Sequence, residues 1–112
     1  MMEPDVRLVL TTESDIETAQ RLARELLERG IVACVTMATV RSMYQWKDEI
    51  EVAEEVQLLL KTTSHHIERV QGAISELHSY DVPELLVLEA EASQAYGRWL
   101  ESAVVRLPVD GP

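Results

Sequence analysis

A chain of 112 residues has room for one domain around one hydrophobic core. Twenty acidic and ten basic side chains leave a formal charge of −10, which argues against a nucleic-acid binder or an anionic membrane surface as partner. The single cysteine, Cys34, excludes an intrachain disulfide framework and any multi-cysteine zinc or iron–sulfur centre.

A lone thiol fits a reducing cytosol. The opening residues carry Glu3 and Asp5 where a signal peptide would carry base. No apolar run approaches the ~20 residues a membrane helix needs. The expectation is therefore a cytoplasmic protein with one domain over 1–112. Residues 1–5 and 107–112 are expected as flexible tails.

Arg7 to Thr12 is a short run of Leu, Val and Thr and predicts a first strand. Ser14 and Glu17 then form the S-x-x-E pattern of a helix start. Ile16, Ala19, Ala23, Leu26 and Leu27 recur at helical spacing as one buried stripe. Glu17 with Arg21 and Glu25 with Arg29 are favourable i,i+4 pairs, and Gly30 suits a left-handed terminus.

Val32 to Trp46 predicts a long second strand, and Ile50 to Thr62 a third. In the third, Ile50, Val52, Val56, Leu58 and Leu60 share a face that Glu54 interrupts. Lys47-Asp48-Glu49 is a polar hairpin link with Asp48 in the left-handed position. An arm of ~13 residues reaches ~43 Å at ~3.3 Å per residue, whereas a compact domain of this size has a radius of gyration near ~13 Å. The hairpin should project beyond its own domain, and projecting edges invite pairing between chains.

A second helix is predicted from about Ser64 to His78, striped by Ile67, Val70, Ile74 and Leu77. A fourth strand, Glu84 to Ala90, is apolar on both faces. A third helix begins near Ser93 with Tyr96, Trp99, Leu100, Ala103 and Val104 on one side. The order β-α-β-β-α-β plus a C-terminal helix is that of an α+β ferredoxin-like sandwich.

Several residues could carry chemistry. Cys34 lies mid-strand among Val32, Ala33 and Val35, where a thiol usually serves as a small hydrophobe. In the segment His78-Ser79-Tyr80-Asp81-Val82-Pro83-Glu84, imidazole and carboxylate could hold a borderline divalent ion. The alternative is a turn closed by local hydrogen bonds, its histidine favoured by the helix dipole. His65 and His66 point apart on a helix and read as surface residues. Asp48, Glu49, Glu51, Glu54 and Glu55 read as solvated, edge-protecting charge. Tyr44 and Trp46 suggest burial at a subunit contact, and Tyr96 and Trp99 suggest core packing. No phosphate loop, nucleophile elbow or Ser-His-Asp signature is present, so no enzymatic reaction is indicated.

Four ordered motifs resemble the CutA divalent-ion-tolerance family. They are Val32-Ala33-Cys34-Val35-Thr36, Ser42-Met43-Tyr44-Gln45-Trp46 with Ile50-Glu51, Glu55 to Thr62, and His78 to Glu84. The resemblance runs over about residues 6 to 104. It implies a homotrimer built by pairing of long hairpins, and a cytosolic role in tolerance of copper and other divalent cations. Residue by residue, it points to Cys34, His78 and Glu84 as metal ligands at intersubunit clefts. Lys61 and Tyr80 match further positions of the family's motifs and are candidate ligand-binding residues. Thr11 stands where some bacterial members carry a cysteine suggested as a copper ligand. Ser79 replaces the family's usual proline, and Asp48 its usual turn glycine. The implied cofactor is copper(II) or another divalent cation. The competing expectation is a small-molecule sensor or interaction module, similar to the nitrogen-regulatory signalling trimers, in which Lys61 meets an anion.

Overall fold

The computed structural model describes residues 3–106. Strand β1 (Val6–Glu13) leads to helix α1 (Ile16–Glu28). A long hairpin follows, β2 (Cys34–Trp46) and β3 (Glu49–Thr62). A 3₁₀ turn (Ser64–His66) opens into α2 (Ile67–Leu77), and β4 (Leu86–Ala90) and α3 (Gln94–Ala103) follow. The sheet order is β2-β3-β1-β4 with every neighbouring pair antiparallel, the ferredoxin-like arrangement the element order predicts.

The sheet has two unlike faces. Val9, Val56, Leu58 and Leu60 point one way and bury against Ala19, Leu22, Ala23 and Leu26 of α1 and Val70, Ala73 and Ile74 of α2. On the other face, α3 crosses β1 and β3 and buries Leu100. Within α1 the stripe is rotated from the predicted one. Leu22 replaces Ile16 and Leu27, which stay substantially exposed.

The helix starts one residue later than the capping pattern implies. Asp15, not Ser14, is the N-cap; its carboxylate accepts from the Thr18 amide at 2.8 Å. That bond is the main reason its pKa lies below the ordinary carboxylate value. The end is as predicted. Gly30 sits at φ +70°, its N–H donating to Leu27 and that of Ile31 to Leu26, which closes the paired bonds of a Schellman end. Arg29 forms the predicted pair with Glu25, whereas Arg21 donates to Thr18.

Three further expectations are corrected. His66 is buried rather than on the surface, because its ring nitrogens meet the Thr63 hydroxyl at 2.6 Å and the Val105 carbonyl at 2.8 Å. Residues 4 and 5, expected in a flexible tail, are tied down. Pro4 is buried, and Asp5 donates its amide to Glu101 and accepts from Ser64. Tyr96 and Trp99 are 41% and 48% exposed; Gly97 and Leu100 take the buried side of α3 instead. The expected tail at 107–112 lies outside the described residues.

The hairpin overreaches as the arithmetic demands. The molecule measures 50 × 31 × 25 Å, and its radius of gyration is 15.4 Å against about 13 Å for a compact chain of this length. Lys47 and Asp48 both take positive φ, 49° and 65°, as a two-residue type I′ turn requires. Val56 is the last buried residue of β3 toward the tip. Beyond it Ile50 and Met43 are 66% and 68% exposed. The predicted apolar face of β3 therefore divides into a core half and an uncovered half.

Candidate functional site

The His78–Glu84 turn packs against the end of β1. His78 terminates α2: its amide still donates to the Ile74 carbonyl, but its backbone is extended, which turns the imidazole toward the sheet. Nε2 lies 2.6 Å from the Thr12 carbonyl, which can only accept, so Nε2 carries a proton. Nδ1 lies 3.0 Å from the Tyr80 amide, which can only donate, so Nδ1 offers its lone pair. The ring is thereby held as the neutral Nε2–H tautomer.

Glu13, which the sequence reading did not single out, is fully buried beside this ring. Its oxygens accept from the Ser79 hydroxyl, from the Ser79 amide at 3.2 Å and from the Ser14 amide at 3.3 Å. Those donors compensate its removal from water. His78 Nδ1 is 3.6 Å from Glu13, which is beyond hydrogen-bond length, and that lone pair already serves Tyr80. The two groups are therefore neighbours and not an ion pair. A carboxylate closing an apolar strand, just before a helix cap, is the signal that could have revealed Glu13.

Tyr80 extends the cluster to the hairpin. Its hydroxyl donates to Glu55 of β3 at 2.8 Å, and its ring lies 4.9 Å from that of His78. Burial first, and then the Glu55 carboxylate, push the phenol pKa well above its ordinary 10.0. In this way Glu55 does more than solvate an edge. Thr11, one residue before Thr12, holds a buried hydroxyl with no partner among the described residues.

The structure does not gather the predicted metal ligands in one chain. Cys34 lies across the β2–β3 ladder from Lys61, level with Leu8 of β1. His78 reaches Thr12, four residues further along, or ~13 Å at strand rise. Glu84 is exposed, and both nitrogens of His78 are engaged. Among the described residues, no group of three or more His, Cys, Asp and Glu is placed to hold an ion. Lys61 and Tyr80 are likewise apart: Lys61 contacts Tyr96 of α3 at 3.3 Å, and Tyr80 contacts Glu55. No helix among the described residues is long and apolar enough to cross a membrane.

Comparison with known proteins gives these features a family. A model described as CutA1 divalent ion tolerance protein matches residues 7–103. The divalent-cation tolerance protein CutA of Pectobacterium atrosepticum is 38% identical over 102 residues, 89% of this chain and 93% of its own. The solved CutA of Synechococcus elongatus superposes with a TM-score of 0.88 at 39% identity, covering 93% and 95% of the two chains. The protein described as periplasmic divalent cation tolerance protein CutA of Archaeoglobus fulgidus superposes at 0.86 with 28% identity, covering 89% and 99%. With residues 7–103 matched by the family model and 93% of its length superposed on a solved relative, the chain belongs to the CutA1 divalent ion tolerance family.

Proposed function

We propose that this divalent-cation tolerance protein is a cytoplasmic, non-enzymatic homotrimer that meets copper(II) at clefts between its subunits. The observation that carries the reading is the hairpin. Met43, Ile50 and Val52 lie uncovered on one of its faces, and Tyr44 and Trp46 on the other. Burying a side chain of this size is worth roughly 1.5–3 kcal/mol. Contact with further copies supplies that burial, as the overreach in the sequence already suggests.

The metal part of the reading rests on donor chemistry and on the assembly. Imidazole and carboxylate suit copper. Among the described residues His78 has Glu13 near it, but no group of three such donors is placed to hold an ion, so the proposed site needs a second copy to complete it. It also needs His78 to exchange one of its two present partners. The acid-rich hairpin adds a cation-attracting field, because the −10 formal charge of one chain becomes about −30 in three.

Calorimetric titration with Cu²⁺ tests the site. The parent should bind, His78→Ala should lose the binding, and Glu84→Gln, at an exposed position, should weaken it without disturbing the fold. Equal affinity in all three proteins, or no binding in any, would sink the assignment.

A further inference from the structure

Lys61 stands on the sheet face opposite α1 and α2, between Leu8 of β1 and Cys34 of β2. Its side chain is half-buried. Acids outnumber bases two to one in this chain, yet no carboxylate among the described residues pairs with Lys61. Its contact is Tyr96: the ammonium is 3.3 Å from the hydroxyl and 5.5 Å from the ring centroid. That contact is solvent-exposed, and a phenol with its ring face satisfies an ammonium only in part. A counter-anion is the missing complement.

The surroundings say what kind of anion. Tyr96 and Trp99 lie three residues apart on α3, their ring centroids 5.5 Å apart at a 36° tilt. Both residues are a little under half exposed. An ammonium has three protons to donate, of which Tyr96 takes one. The Tyr96 hydroxyl, accepting from Lys61, keeps its own proton to donate. Two kinds of donor therefore converge beside two flat apolar surfaces. The one ammonium that Tyr96 contacts matches a monoanion better than a phosphate dianion, which recruits several cations or a fork of donors.

We propose that Lys61, Tyr96 and Trp99 form a binding site for a small aromatic carboxylate, its carboxylate held by the Lys61 ammonium and the Tyr96 hydroxyl and its ring laid on the Trp99 indole. The site lies away from the His78 turn, so it is separate from the cation reading and stands or falls without it.

The test is calorimetry on the full chain with benzoate, and with benzamide as its uncharged counterpart. Benzoate should bind saturably, and benzamide at least about tenfold more weakly, a difference that one charged contact supplies. Lys61→Gln and Trp99→Leu should each weaken benzoate by a similar factor, and Lys61→Arg should retain it. Absence of saturable benzoate binding, equal binding of benzamide, or unchanged affinity in Lys61→Gln would overturn the proposal. So would a parent that ignores benzoate while Lys61→Gln shifts the sedimentation coefficient, since Lys61 would then answer a carboxylate of a second copy. Should Lys61→Gln fail to fold, the comparison of benzoate with benzamide on the parent decides.

Discussion

At His78 the two ring nitrogens face groups of opposite polarity, a carbonyl and an amide N–H, and those partners choose the tautomer. The same logic governs Tyr80, whose phenol keeps its proton because loss of it would place a phenolate beside Glu55 in a partly desolvated site. Tyr80→Phe should cost roughly 1 kcal/mol in urea unfolding, the net value of one such bond. Spectrophotometric titration should show one of the three tyrosines ionising after the others, and that component should vanish in Tyr80→Phe. The sign of the linkage follows from the raised value. The stability this group contributes is fully present below pH 10.0 and is lost as pH rises from there toward the folded-state value. A parent whose three phenols ionise together would contradict the assignment. None of this was legible in the segment His78 to Glu84. The spacing showed that imidazole and carboxylate were near in sequence, but Thr12, Glu13 and Glu55, which bond His78, Ser79 and Tyr80 respectively, come from β1 and β3.

Among the elements, periodicity located all four strands and three helices to within a few residues, since spacing of apolar groups is a local property. It erred where tertiary contact selects among nearly equivalent choices. Leu22 and Leu27 lie on the same helix, and the position of α2 and the sheet decides which one is buried. Two glycines show the same contrast. Gly72 lies inside α2, and a Cβ built there meets nothing within 4 Å. Gly72→Ala should therefore stabilise the protein by up to ~1 kcal/mol and raise its melting temperature. Gly30→Ala should do the reverse, because its φ is +70° and a Cβ would fall on the Val105 side chain. A melting temperature raised by both substitutions would contradict these local geometries.

For the molecule as a whole, the hairpin dominates. Among the described residues no core covers its tip half, so under the proposed assembly its apolar side chains would bear on subunit contact rather than on protomer folding. Ile50→Asp should leave the circular-dichroism spectrum of the protomer intact while shifting sedimentation toward the 12.7 kDa species. A parent that already sediments as that species, or an Ile50→Asp protein that sediments like the parent, would remove the hairpin as the contact. This is the scale at which the opening charge count also acts. Asp48, Glu49, Glu51, Glu54 and Glu55 cluster along the projecting arm, so assembly brings like charge together and should be aided by added salt.

The sequence by itself determined the element order, the overlong hairpin and the family, because strand alternation, helical spacing and ordered motifs are written along the chain. It also determined the acidic field, which is a sum over residues. Only the tertiary structure decided that His78 is spoken for on both nitrogens, that Glu13 is buried beside it, and that Cys34, His78 and Glu84 form no three-donor group among the described residues. The physical reason is range. Hydrophobic periodicity is fixed within a few residues, whereas a hydrogen-bonded site is assembled from strand ends and turns more than sixty residues apart, where register and burial select the partners.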